Sequence, residues 1–252
     1  MIIDFHIHGK ITSTFPFKKE EFYKKINEAK NYGINSLALV EHSYANNFNE
    51  ANNYLKEKYE YINDYYNIEG FKIFIGIEIT TIEGIDILYI ANRKYILKLK
   101  KDLDVQLKGE KNIKIDDLFN YCIPNKSLII IAHPFRRHKE FPNINPLIFE
   151  KVDAIEINVK DLYKNGITET KNKVSKLASE WNLPIIGGSD THHFIQVGSI
   201  KNIFNCDCNT IDEIKKNIKS NNCKIEISSD LSVKVRSASN IKKSIKKQYL
   251  SE

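Results

Sequence analysis

Short apolar runs alternate with longer charged segments from one end of this chain to the other, and few architectures accommodate that rhythm. The runs "IIDFHI", "SLALVE", "FKIFIGIE", "SLIIIAH", "VDAIEIN" and "LPIIGGSD" have the length and near-continuous hydrophobicity of strands buried on both faces. Between or after them, "KKEEFYKKINEAKNYG", "TETKNKVSKLASEWN" and "TIDEIKKNIK" read as helices, the first ending at Gly33. "ITTIEGIDILYIA" reads as a hairpin turning near Glu83 and Gly84, and "SIKNIF" as a further strand. Such alternation predicts βα units around a largely parallel sheet. At 252 residues, 42% hydrophobic and 28% charged, the chain suits one barrel-like α/β domain.

The polar residues that interrupt the apolar runs occur in one kind of place. His6 and His8 end the first strand, Glu41 and His42 the second, and Glu78 the third. His133 ends "IIIAH", Glu156 ends "AIEIN", and Asp190 and His192 follow "PIIGG". In a parallel barrel the C-terminal strand ends converge on one rim, where side chains meet around a ligand. Packing scatters histidines over helices and surface, whereas five of the seven histidines here gather at that rim with carboxylates. Imidazoles and carboxylates together point to a metal site.

Other classes of protein are disfavoured by composition. No window approaches the roughly 18 uninterrupted apolar residues of a membrane span. The N-terminal segment lacks the pattern of a secretory signal, so the expected setting is cytoplasmic. Cys122, Cys206, Cys208 and Cys223 lack the paired C-x-x-C spacing of a structural zinc site and read as free thiols, with "NCDCN" as a possible soft-metal binder. Residues 231–251 contain Lys234, Arg236, Lys242, Lys243, Lys246 and Lys247 and no acid, which equals the whole net charge of +6. Any attraction for polyanions is therefore local to the C-terminus.

Taken as a set, "DFHIH", "LVEHS", "GIEIT", "IAHPFR" and "GGSDTHH" resemble, in order and spacing, the motifs of the polymerase and histidinol phosphatase (PHP) superfamily from residue 2 to about residue 199. The resemblance implies a distorted TIM-like (β/α)7 barrel holding two to three divalent metal ions (zinc, manganese or iron); the barrel is expected over residues 1–230, and the residue pattern adds a short basic helix within a C-terminal extension over residues 231–252. It implies that His6, His8, Glu78 and Asp190 form one complete metal site, that Glu78 bridges to a second ion held by His133, and that His42 and His192 hold a third. Asp4 and Glu41 would orient ligand histidines from behind. The activity implied is hydrolysis of a phosphomonoester, histidinol phosphate or a nucleotide for example, by a hydroxide shared between the ions, with Glu78 and Asp190 central to catalysis. A nuclease trimming nucleic-acid ends, gripped by the basic C-terminus, is the alternative, and a catalytically lapsed binding module a third.

Arg136, in "HPFRRH", is the expected partner of the substrate phosphate, with Arg137 its rival and Lys10 behind both. His138 and His193 remain as general acids or as surface histidines. The chain departs from the family pattern at three places. Glu41 replaces an aspartate, Ser13 and Thr14 stand where relatives carry a ligand, and Asp86 stands where a histidine often follows "GIE". Asp86 is either an oxygen ligand or a turn cap. The tyrosines of "YLKEKYEYINDYY" are either a lid or the fastening of an insertion. "SASNIKKSIKKQYLSE" places Ile241, Ile245 and Tyr249 on one stripe, with Lys242, Lys243, Lys246 and Lys247 fanning over the exposed side.

Overall fold

The computed structural model describes residues 1–249; residues 250–252 and the side chain of Tyr249 lie outside the described part. The strands are β1 (Ile2–Ile7), β2 (Ser36–His42), β3 (Glu60–Ile62), β4 (Tyr65–Ile68), β5 (Phe71–Thr80) and β6 (Asp86–Ala91). They continue with β7 (Ser127–Ala132), β8 (Ala154–Asn158), β9 (Ile185–Gly188), β10 (Ile200–Phe204) and β11 (Cys223–Ile227). The helices are α1 (Lys19–Asn31), α2 (Glu50–Lys58), α3 (Arg93–Leu107) and α4 (Ile115–Leu118). After them come α5 (Val159–Asn165), α6 (Ile167–Glu180), α7 (Ile211–Lys219) and α8 (Leu231–Tyr249).

Among the described residues, seven strands in the order β1-β2-β5-β6-β7-β8-β9 form the wall of a nearly closed barrel. This is the TIM-like α/β barrel expected, with one qualification. The strand "FKIFIGIE" and the first arm of the hairpin are one continuous β5, and the hairpin makes β6 antiparallel to both neighbours. Its first residue, Asp86, therefore stands at the rim where the other strands end. The pairs β1–β2, β2–β5, β7–β8 and β8–β9 are parallel.

The seam between β1 and β9 is closed mainly at the rim, by a bridge between Ile7 and Thr191. Two backbone bonds make it, His8 N–H to Thr191 O at 2.9 Å and Thr191 N–H to His6 O at 3.2 Å. Below, side chains replace the ladder. Asn202 of β10 donates to Ile3 O (3.1 Å) and Gly187 O (2.8 Å) and accepts from Gly187 N–H (2.7 Å). Asp4 accepts from Ser189 N–H at 3.1 Å.

Alternation decides which side chains fill the interior. Ala38 and Val40 of β2, Phe74 of β5, Leu88 and Ile90 of β6, and Leu128, Ile130 and Ala132 of β7 form the inner cluster with Ala154 and Ile186. Each large apolar side chain contributes about 1.5–3 kcal/mol when fully buried. The same parity carried upward points His42, Glu78, Asp86, Glu156 and Asp190 inward, above this floor. The outer faces pack under the helices, Ile73, Ile75, Ile77 and Ile79 of β5 among them.

The tyrosine-rich segment fastens an insertion. Part of it is the β3–β4 hairpin, joined to the lower half of β5 through Tyr65↔Phe74 and Tyr66↔Ile73. Tyr66 is fully buried, and the hydroxyls of Tyr23, Tyr54 and Tyr59 meet between α1 and α2. The C-terminal helix differs from the short one expected. It starts at Leu231 and buries Leu231, Lys234, Val235 and Ala238 as it crosses α5 and the turn at 194–196. Lys243, Lys246 and Lys247 face solvent as expected, but Lys242 is turned inward and half-buried.

Candidate metal centre

Two strands reach the rim by breaking alternation. In β1, Ile3 and Phe5 belong to the inner cluster but Ile7 belongs to the outer one. A register shift between Asp4 and Ile7 makes the switch and turns His6 and His8 toward the barrel axis. In β7, the residue after inward Ala132 should point outward. His133 instead adopts a left-handed backbone with φ 30°; Asp190 after β9 keeps the inward parity but also has a left-handed backbone, with φ 52°. Backbone conformations this unfavourable for L-residues persist where surrounding structure enforces them, typically at functional sites.

All seven side chains expected as ligands meet in one cluster. Glu78 is its centre. Its Oε1 is 3.1 Å from His133 Nε2, while Oε2 is 2.7 Å from His42 Nδ1, 3.3 Å from His8 Nε2 and 3.6 Å from His6 Nε2. Asp190 Oδ1 is 3.3 Å from both His8 Nε2 and His192 Nδ1, and 3.8 Å from His6 Nε2. Among the described residues, four overlapping groups have ligand atoms within 4.8 Å of one another: His6-His8-Asp190, His6-His133-Glu156, Glu78-Asp86-His133 and His8-His42-His192.

These residues fit divalent ions. Among the described residues, His6 Nε2, both nitrogens of His8 and Asp86 Oδ1 are buried without a hydrogen-bond partner, and His42 Nδ1 and Glu78 Oε2, though 2.7 Å apart, are not aligned as a hydrogen bond. An unsatisfied buried polar atom costs about 1–3 kcal/mol, so this concentration requires an explanation, and dications satisfy most of these atoms together. The mixed nitrogen and oxygen donors suit zinc, manganese or iron(II).

The electrostatics agree. Burial works against ionising Glu78 and Asp190, yet both are held well below the usual carboxylate range, Glu78 by His42 and His6, Asp190 by Lys160 and neighbouring imidazoles. Burial likewise opposes charge on His6, but Glu156 and Glu78 raise its pKa well above the usual imidazole value. His8, buried and beside His42, is pushed down to about 3 and stays neutral.

The orienting carboxylate is Glu156, to which sequence reasoning gave no role beyond its place at the rim. Its Oε1 is 2.7 Å from His6 Nδ1, and its Oε2 accepts from His133 N–H at 2.8 Å. It thereby frees His6 Nε2 for a metal. A carboxylate inside the apolar run "AIEIN" was the available signal. The second glycine of "GGSD" makes room for it, because a Cβ on Gly188 would overlap the Glu156 carboxylate. Asp4 and Glu41 brace backbone instead of imidazole. Asp4 accepts from His6 N–H (3.1 Å) and Ser189 N–H, and Glu41 from Gly9 N–H (2.5 Å) and Lys10 N–H (3.2 Å). Glu41 Oε2 stays 3.9 Å from His8 Nδ1, beyond hydrogen-bond reach.

Cations ring the cluster. Arg136 lies at the rim, but its guanidinium is engaged by Asp161 Oδ1 (3.1 Å), Asp190 Oδ2 (2.6 Å) and Asn158 Oδ1 (2.6 Å), which leaves two of the fork's five N–H donors. Arg137 donates to Asp86 Oδ2 at 2.6 Å, and Asp86, which is buried, faces His133 at 3.5 Å instead of capping the turn. Lys160, absent from the sequence-based candidates, is 2.8 Å from Asp190 Oδ2. Lys10 is drawn away to Asn46 O and Glu50. His193 accepts from Ile195 N–H and His138 bonds Glu83 O across to the β5–β6 turn, so both engage backbone. Where relatives carry a further ligand, Thr14 bonds Thr12.

A family model described as PHP-associated matches residues 169–223. No curated protein sequence matches the chain. The crystal structure of PsfC from Pseudomonas syringae is similar with a TM-score of 0.73 and 18% identity, over 97% of this chain and 98% of that one. The lesion-specific endonuclease PfuEndoQ from Pyrococcus furiosus gives 0.64 and 18% identity, over 89% and 58% of the two chains. Endonuclease Q complexed with a 27-mer duplex substrate, an abasic lesion at its active site, gives 0.59 and 18%, over 87% and 57%. The chain thus spans less than two thirds of either endonuclease chain, and at this identity the likeness establishes a shared fold. That fold and the matching PHP-associated segment agree with the polymerase and histidinol phosphatase superfamily that the chain's motifs resemble.

Proposed function

We propose that this chain is a metal-dependent phosphoesterase acting on a phosphomonoester. The observation that carries the reading is Glu78, whose two oxygens face two adjoining groups of buried ligand atoms, most of them unpartnered. His6, His8 and Asp190 would share one ion with Glu78 Oε2, while Glu78 Oε1 and His133 would hold a second beside Asp86. His42 and His192, with His8, would take a third. Bound ions of this kind supply Lewis-acid charge and a nucleophile at neutral pH.

The chain's own groups prepare the site for that chemistry. Glu156 fixes the tautomer and orientation of His6. Arg136 and Lys160 hold Asp190 ionised and aligned, and the remaining guanidinium donors of Arg136 are available to phosphoryl oxygens. The apolar floor below keeps bulk water out and strengthens each of these interactions. Residues 1–230 would be the catalytic barrel and 231–252 a basic C-terminal extension, helical from Leu231 to Tyr249. A cytoplasmic setting suits the four free cysteines. No described helix is long and apolar enough to cross a membrane.

A nuclease is the second reading. It is favoured by two structurally similar endonucleases and by exposed Lys243, Lys246 and Lys247 on α8. A panel of p-nitrophenyl phosphate, histidinol phosphate, nucleotides and labelled oligonucleotides, with manganese, zinc or iron(II), separates the two. Turnover of a phosphomonoester supports the first reading. Cleavage of oligonucleotides alone replaces it with the second, and inertness toward all substrates with metal bound sinks both.

A further inference from the structure

An imidazole that is to hold a metal needs a partner that fixes its ring, and the cluster supplies such partners unevenly. His6 has Glu156 at 2.7 Å behind its Nδ1, and His192 Nδ1 lies 3.1 Å from Asp190 O. His133 is set between Glu78 at 3.1 Å and Asp86 at 3.5 Å. His42, the last residue of β2, lacks comparable support. Among the described residues, the one ion-pair or hydrogen-bond contact of its imidazole is the 2.7 Å approach of Nδ1 to Glu78 Oε2, which is not aligned as a hydrogen bond. It is also the most open of the seven side chains, 18% exposed against 8% or less for the others.

Rings take the place of that support. The His42 imidazole stacks on His8, with centroids 4.5 Å apart and planes at 29°, and on Tyr44, at 5.0 Å and 14°. His8 in turn stacks on His192 at 4.1 Å and 30°. The series runs from half-buried Tyr44 through all three histidines of one group of facing ligand atoms, His8-His42-His192. Tyr44 is itself held. It lies in the turn after β2, where Ser43 N–H donates to Glu78 O at 2.8 Å and Ala45 N–H to His42 O at 2.9 Å. Lys111 Nζ stands 5.6 Å from its ring centroid, on a loop tied to the β5–β6 turn by Ile82 N–H and Ile113 O at 2.9 Å. A cation beside the ring favours this placement. Tyr44 enters these contacts through its ring, and its hydroxyl makes no hydrogen bond among the described residues.

We propose that Tyr44 is a positioning residue for the ion shared by His8, His42 and His192, its ring holding the His42 imidazole in place where other ligand histidines have a hydrogen-bonded partner. The inference rests on the metal-dependent reading and deepens it, because it ranks the ions. His6 and His133, both anchored by Glu156, serve the other two. Stacking is less directional than a hydrogen bond to a carboxylate, so the ion beside Tyr44 is the most easily lost of the three.

Cobalt(II) titrations of the metal-free full chain, followed in the ligand-field bands, count and rank the ions without depending on turnover. Tyr44→Leu keeps apolar bulk and removes the flat ring. Its weakest cobalt affinity should fall at least about tenfold, while the stronger ones stay within about twofold. Tyr44→Phe should bind as wild type does, since the hydroxyl has no part in the stack. Tyr44→Met repeats the test with a more pliant side chain should leucine impair folding. In the metal-free protein, the ring-current shift of the His42 carbon-bound protons should disappear in Tyr44→Leu and persist in Tyr44→Phe, a signature that a general loss of stability does not mimic. Wild-type cobalt binding in Tyr44→Leu, equal weakening of every ion, or a Tyr44→Phe variant as weak as Tyr44→Leu would overturn the assignment. A wild type that takes only two ions would overturn it as well. Hydrolysis of p-nitrophenyl phosphate is scored separately. Its absence alongside these binding effects removes the phosphoesterase reading and leaves the role of Tyr44 standing.

Discussion

Replacing Glu156 by glutamine keeps the side chain's shape and removes its charge, and the geometry dictates the consequences. Both oxygens of Glu156 are acceptors, one 2.7 Å from His6 Nδ1 and the other 2.8 Å from His133 N–H. An amide offers one acceptor and one donor group. Whichever way the new amide is flipped, an NH2 must face either the His133 amide or His6 Nδ1. The first leaves a buried donor unsatisfied, at about 1–3 kcal/mol. The second is relieved only if His6 gives up its Nδ1 proton and keeps one on Nε2, the atom that would bind metal. At about 2–4 °C per kcal/mol for a chain of this size, the metal-free variant should melt several degrees lower. Its metal affinity should fall about 10–100-fold, as when a partner behind a ligand histidine is lost. Melting curves of metal-free protein, and competition titrations against a chromophoric chelator, measure the two effects separately. A variant with wild-type melting temperature and wild-type metal affinity would refute the assignment of both oxygens as acceptors.

Gly188→Ala attacks the same carboxylate sterically. Its Cβ overlaps Glu156, so circular dichroism melts should show a loss of about 1–3 kcal/mol, and an unchanged melt would show that Glu156 moves without cost. Protein purified without chelator should carry at least two equivalents of transition metal, and Asp190→Asn or His6→Ala should remove most hydrolysis. Elemental analysis finding under one equivalent after reconstitution would count against the centre. Arg136→Ala should lower metal affinity along with phosphate binding, because it strips a 2.6 Å partner from Asp190, and loss of phosphate binding alone would assign Arg136 purely to substrate. With its pKa raised, His6 holds a proton at neutral pH in the metal-free protein, so metal binding should expel it and weaken as pH falls. The calorimetric heat should then vary with buffer ionisation enthalpy, and buffer-independent heats would contradict the protonated His6.

Most of the barrel and the rim were legible because a buried strand announces itself as an apolar run and a rim ligand as the polar residue that ends it. His42, Glu78 and Asp190 follow from inward parity alone. His6, His8 and His133 were legible as residue types, but their orientation was not, since a bulge and a left-handed backbone aim them. Simple alternation would have grouped Ile7 with Phe5, and the structure separates them. The engagement of Arg136 by Asp161, Asp190 and Asn158 was not legible, because a sequence shows a cation without its acceptors. Lys242 was hidden among similar lysines, and only the packing of α8 distinguishes it from Lys243. The continuous β5 and the tyrosine hairpin were blurred for a related reason, because β-rich segments without sharp punctuation carry no mark of where one strand stops.

The seam between β1 and β9 sets a timetable for the site. His6 and His8 are released by the ribosome long before Thr191, to which their backbone is tied near the end of the barrel. Contacts of such sequence separation form late, because loop closure must be completed before they return any energy. The nascent chain therefore displays a histidine pair with no carboxylate from Asp190 to complete it, a weak and unselective trap for any metal. Only when Asn202 has stitched the two edges together do the earliest and latest ligands stand within reach of one ion. On the proposed reading, metal capture would follow that closure, and the ion would clasp together strands from opposite ends of the barrel's sequence.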